Sequence, residues 1–150
     1  MLQSIRSFFR AVPTPLAGLA LGIASLGMGI EKSLPLHNVG QVLGALTSMT
    51  LTLLLAGKFA LNPRLLVEEL RHPVLGSILP TIAMALMLQS KSLSIVDARA
   101  AQTLWLFAVG LHLCLLLAFV VFRIRQFSLN HMVPSWFVPF VGISVAAMTV

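Results

Sequence analysis

The 150-residue chain is 58% hydrophobic and only 9% charged, with a mean hydropathy of +0.98. That balance excludes a water-soluble domain, and with it an enzyme built on a soluble catalytic domain, because no stretch is polar enough to fold in water. The net charge of +6 is no sign of nucleic-acid binding: the basic residues stand in short clusters between apolar runs, where membrane topology signals belong.

The N-terminal stretch MLQSIRSFFRAVPTPLAGLALGIASLG begins like a signal peptide, with basic residues ahead of an apolar run. Pro13 and Pro15 open that run, however, and no small-x-small cleavage site follows, so it is expected to stay as a first membrane span near residues 13–30. A second span is predicted near 38–60. The stretch RLLVEELRHP then leads to a third near 73–90, with Glu68 and Arg71 spaced to pair on one helical turn. The fourth, near 100–122, carries His112, expected to hydrogen-bond between helices, and Cys114, expected as a buried apolar thiol. The fifth, near 133–150, opens with VPSWFVPFVG. Trp105 and Trp136 fall near span ends, where tryptophan ordinarily anchors the membrane interface.

Runs of about 18 apolar residues reach across a hydrocarbon core of about 30 Å as helices. The links between them are short, which predicts antiparallel neighbours. The expected fold is therefore all-α: a polytopic membrane protein of five helices in helical hairpins, one transmembrane domain over 1–150. With the N-terminus inside, the cytoplasmic side holds seven basic residues: Arg6, Arg10, Lys58, Arg64, Arg71, Arg123 and Arg125. The other side holds three, Lys32, Lys91 and Arg99, so the N-terminus is expected in the cytoplasm and Val150 outside.

Six of the eight prolines belong to the odd spans: Pro13, Pro15, Pro73, Pro80, Pro134 and Pro139. Aligned on Pro15, Pro80 and Pro139, these spans carry Gly18, Ala83 and Gly142 three positions on, then Gly22, Met87 and Ala146 seven positions on. Residues at i, i+3 and i+7 share a helix face. Ser25 and Gly29 continue the stripe in the first span, Gly76 extends it in the third, and Ser135 and Thr149 in the fifth. An interior proline removes a helical hydrogen bond and kinks the helix, a costly device in lipid unless the freed carbonyl finds a partner or faces water. The repeat predicts odd helices bent around a common axis, their small faces lining a solute pathway. The proline-free even spans would then face lipid. The alternative is that the small faces only pack helices closely, making the chain a non-transporting scaffold.

The spans contain almost no ionisable groups: Glu31, Glu68, Glu69 and Asp97 fall in loops or at helix ends. That argues against a proton-coupled antiporter or a cation channel, and for an anion or neutral solute. The four histidines have no neighbouring Cys or acidic partner, so no metal site is expected, and no cofactor. Ser144 and His112 lack the Gly-x-Ser-Gly setting of an intramembrane serine protease.

At PTPLAGLALGIASLG, LRHPVLGSILPTIAMALML and VPSWFVPFVGI the sequence resembles the tellurite-resistance/dicarboxylate transporter family, the TehA-like proteins related to plant slow-type anion channels. The resemblance implies an anion channel or exporter of the bacterial inner membrane, with about ten helices in hairpins, kinked odd helices around a central pore, and trimeric assembly. On that pattern this chain is the N-terminal half, inactive until a partner completes the ring. Pro15, Pro80, Pro139 and their small neighbours would line the pore, and the family's gating phenylalanine would fall beyond residue 150. Neither Phe137 nor Phe140 matches it.

Overall fold

A computed structural model of the chain describes residues 2–34, 36–125 and 133–149, so Pro35, His131, Val150 and most of the fourth link lie outside the described residues. Every regular element among these is helical, in the order α1 (Leu2–Arg10), α2 (Leu16–Ser33), α3 (Val39–Leu61), α4 (Pro63–Arg71), α5 (Leu75–Ile78), α6 (Pro80–Leu93), α7 (Ala98–Arg125), a 3-10 turn (Pro134–Phe137) and α8 (Val138–Thr149).

All five predicted apolar stretches are helical, with ends within a few residues of those expected. The even stretches form the longest unbroken helices, α3 with 23 residues and α7 with 28, and both are long and apolar enough to cross a membrane. The third stretch is interrupted. Pro63 starts α4 at a position where its missing N–H costs nothing. The chain then bends by 109° between α4 and the α5–α6 segment, which together are long and apolar enough for a third span, broken or re-entrant at that bend. α5 passes into α6 at Leu79–Pro80, and the fifth stretch changes from 3-10 to α geometry at Val138, next to Pro139. Pro15 differs from these two: it is the residue capping the start of α2. α2 itself is diluted by glycines and by Glu31 and Lys32 at its end, and it falls outside the helices that qualify on length and composition. The chain is a polytopic helical membrane protein.

α2 pairs with α3 and α6 with α7 as two hairpins, while α6 runs through the middle against α2, α3, α7 and α8. The first hairpin turns at His37 and Asn38, both left-handed (φ 54° and 71°), a conformation Asn and His tolerate better than most residues. Glu31 holds that turn by accepting from the amides of Asn38 at 2.8 Å and Gly40 at 3.1 Å, which supplies acceptors for the start of α3. Just beyond, α2 and α3 meet backbone to backbone. A side-chain carbon on Gly27 would stand 2.7 Å from the Gly40 carbonyl oxygen and 2.9 Å from Gly44 Cα. This is the small-xxx-small contact of membrane helices, made by Gly40 and Gly44 against Gly27.

Two apolar clusters hold the bundle. Val12, Ala17 and Leu55 form one, Leu70, Leu79 and Leu115 the other, and Phe59 and Ile82 pack against both. The outward faces of α3 and α7 expose Leu43, Leu46, Leu53, Leu106, Phe107, Leu113 and Leu117, as helices do when the surrounding solvent is lipid. Cys114, expected to be buried, is exposed on that face of α7. A thiol there is an apolar group against hydrocarbon, so sequence apolarity does not distinguish lipid contact from core.

Candidate functional site

The stripe on α2 is open. Pro15, Gly18, Gly22, Ser25 and Gly29 are all exposed, and a side-chain carbon added at Gly18, Gly22 or Gly29 would meet nothing within 4 Å. The corresponding positions in the third span are closed. Pro80, Ala83 and Met87 are fully buried, and Gly76 lies so close under the Leu70 carbonyl that a side-chain carbon would be 2.5 Å from its oxygen. In α8, Pro139, Gly142 and Thr149 are buried, and Ser135 and Ala146 are half-buried. The structure therefore brings Ser25, Gly29 and Thr149 together. They share a groove of about 250 Å³ with Lys32 of α2, Leu88 of α6 and Val145 and Met148 of α8.

Around Pro80 and Pro139, side chains bond to nearby backbone carbonyls and to one another. Thr81 donates to the Ile78 carbonyl at 2.7 Å, and Ser77 bonds both the Val74 carbonyl at 2.7 Å and the Ser135 hydroxyl at 2.8 Å, joining the two proline-containing spans. His112 of α7 reaches both from behind. Its Nε2 donates to the Pro139 carbonyl at 2.9 Å, while Nδ1 stands 3.5 Å from the Pro80 carbonyl. A carbonyl only accepts, so the bond to Pro139 puts the proton on Nε2. His112 is thus the interhelical hydrogen-bonding residue that its mid-span position predicts. Gly142 faces this ring, not open space: a side chain there would overlap the imidazole.

Three other polar arrangements are not evident in the sequence. Lys58, 3% exposed, donates to Glu69 Oε1 at 2.6 Å and to the Thr14 hydroxyl at 2.8 Å, and Thr14 closes the ring on Glu69 Oε2 at 2.6 Å. A lysine inside LLLAGKFALN is the one sequence signal for it, since a charge in an apolar run needs a partner. The pairing expected between Glu68 and Arg71 is replaced by this one, because Glu69, not Glu68, is on the face of α4 turned toward α3. Gln89 of α6 donates to Ser48 at 2.8 Å and Thr52 at 2.9 Å on α3. Arg123, buried at the end of α7, donates to the carbonyls of Leu70 and Arg71 and packs on the rings of Phe119 and Trp136. Trp136 is accordingly no simple interfacial anchor: its ring stands edge-on to Phe119, and its indole nitrogen is buried. Trp105 donates to the Thr149 hydroxyl at 3.0 Å.

Residues 12–150 match the family model described as voltage-dependent anion channel. The chain belongs to that family. Over 87 residues it is 32% identical to an uncharacterized transporter of Methanocaldococcus jannaschii, covering 55% of this chain and 25% of that relative. The match thus spans about a quarter of the relative's length. No solved structure matches. The family is the one to which the proline-bearing segments point, and it is a family of channels and transporters, not enzymes.

For a member of an anion-channel family, the chemistry of the groove is informative. Its polar lining is Lys32 with the Ser25 and Thr149 hydroxyls, which donate to the Leu21 and Val145 carbonyls; the rest is apolar, and no carboxylate lines it.

Proposed function

We propose that the chain forms the N-terminal half of an anion pathway whose wall is the exposed stripe of α2 with the facing parts of α6 and α8. The observation that carries this reading is the groove where these three helices meet, mostly apolar but lysine-bearing and free of carboxylates. The open glycines of α2 supply the rest, since a wall without side chains leaves room for a solute. Passage is passive, with five crossings, the N-terminus in the cytoplasm of a bacterial inner membrane, and three copies in the assembly. The solute class is a small inorganic oxyanion or a dicarboxylate, as the resemblance to tellurite-resistance and dicarboxylate transporters implies.

The test combines labelling with flux. In a Cys114→Ser background, Gly22→Cys and Ser25→Cys should react with a membrane-impermeant, water-soluble thiol reagent, while Leu113→Cys and Leu117→Cys on the outer face of α7 should not. Vesicles containing the chain together with the partner that completes its pathway should lose nitrate or dicarboxylate flux with Gly22→Leu. Equal labelling of both faces, or flux unchanged by Gly22→Leu, would refute the pathway. A second reading, helix packing alone, is favoured specifically at Gly27, Gly40, Gly44 and Gly142, whose missing side chains are filled by neighbours.

A further inference from the structure

At the end of the bundle where α3 terminates, two short amphipathic helices enclose a basic cleft. α1 packs on α3, with the Phe9 ring filling the space over Gly57, and α4 follows α3 after one residue. Between them lies a cavity of about 490 Å³ whose charged lining is Arg6 and Arg10 from α1 and Arg64 and Glu68 from α4. Three guanidiniums thus face one carboxylate. The other nearby cation, Lys58, is already neutralised by Glu69.

The walls of the cleft are fixed by hydrogen bonds. Arg6 Nε donates to the Leu61 carbonyl at 3.2 Å, which ties α1 to the end of α3 and orients its guanidinium. The Asn62 side chain donates to the Lys58 carbonyl at 3.3 Å, and the buried Lys58–Glu69–Thr14 ring secures the far end of α4. Beside the arginines, Phe8 is 63% exposed and Val67 43% exposed, so apolar and cationic groups stand side by side at the edge of the bundle. Guanidinium forks match the oxygens of a phosphate, and a helix carrying arginines beside exposed aromatics suits the boundary between headgroups and acyl chains.

We propose that this cleft binds the phosphodiester headgroup of an anionic phospholipid, with Arg6, Arg10 and Arg64 on the phosphate and Phe8 in the acyl region. Its position, beside the basic end of the chain, suits the anionic leaflet of a cell membrane. The site is separate from the groove between α2, α6 and α8, so it stands or falls independently of the anion pathway.

The experiment uses the purified chain in neutral detergent, titrated separately with short-chain phosphatidylglycerol, short-chain phosphatidylcholine and inorganic phosphate, and followed by thermal unfolding and by native mass spectrometry. Phosphatidylglycerol should raise the unfolding midpoint and remain bound, and phosphatidylcholine should do neither. Arg6→Gln, Arg10→Gln or Arg64→Gln should each weaken binding roughly tenfold, the effect of one lost charge-assisted hydrogen bond. Glu68→Gln should tighten it, and Arg99→Gln, at the start of α7 and so at the end remote from α4, should leave it unchanged. Equal binding of the two lipids, or indifference to all three arginine substitutions, overturns the proposal. Inorganic phosphate binding as tightly as phosphatidylglycerol assigns the cleft to a free anion and overturns the lipid assignment.

Discussion

The His112 ring occupies the space that a side chain at residue Gly142 would fill, and it is from there that Nε2 reaches the Pro139 carbonyl at 2.9 Å. The glycine and the histidine make one contact: the missing side chain lets the donor approach the backbone of α8. Gly142→Ala should therefore push the ring away, costing about 1–3 kcal/mol from overpacking and about 1 kcal/mol from the lost hydrogen bond. Gly18→Ala, where nothing lies within 4 Å, should be neutral or slightly stabilising, because alanine restricts the unfolded chain. Thermal unfolding of both variants in detergent separates the two kinds of glycine.

His112 stands between the proline-bearing ends of α6 and α8, donating from Nε2 to the Pro139 carbonyl while Nδ1 lies 3.5 Å from the Pro80 carbonyl. His112→Phe retains an aromatic ring but loses the bond to the Pro139 carbonyl, which keeps its place in the α8 ladder, at a cost of about 1 kcal/mol. The two residues share one contact, so His112→Phe combined with Gly142→Ala should cost clearly less than the sum. Strict additivity would show that the ring and the glycine act separately.

These residues also mark how far the sequence can be read. All five helical stretches are evident because long apolar runs between short charged links have few other meanings, and the bend ahead of the third lies at Pro73, whose predecessor His72 is extended. Direction is harder. Gly18, Gly22 and Gly27 are alike in sequence, yet the first two face open space and the third meets Gly40 and Gly44 at backbone distance. Which one packs depends on how α3 is rotated against α2, and a stripe of small residues on one helix does not encode its neighbour's rotation. The partner of Lys58 is hidden for the same reason: Thr14 is 44 positions away and Glu69 is 11, and only folding brings them together. Position in an apolar span identifies His112 as a bonding residue, but its acceptor, the Pro139 carbonyl, emerges only with the helices assembled.

At the α2–α3 crossing, Gly27→Leu should separate the first hairpin, since the Gly40 oxygen and Gly44 Cα already lie under 3 Å from where its first side-chain carbon would stand. Backbone, unlike a flexible side chain, cannot move aside. The expected outcome is loss of the folded species on size-exclusion chromatography in detergent, whereas Gly110→Leu on the open face of α7 should elute as the unaltered protein does.

The buried ion pair gives the sharpest contrast between breaking and replacing. Lys58 and Glu69 are 4% and 13% exposed at the side chain, and they join the end of α3 to α4. Removing one partner by Glu69→Leu leaves an ammonium buried against a single hydroxyl, a loss of about 3–5 kcal/mol. Replacing both, Lys58→Met with Glu69→Leu, exchanges two desolvated charges for apolar contact and should recover most of that loss. Thr14→Val in the native background removes the third member alone and should cost about 1–3 kcal/mol, because the carboxylate and the ammonium each lose one hydrogen bond. If the double replacement is as unstable as Glu69→Leu alone, the geometry of the ring, not charge compensation, holds α4 against α3. Chemical denaturation of the three variants in mixed micelles, read by tryptophan fluorescence from Trp136 and Trp105, distinguishes these outcomes.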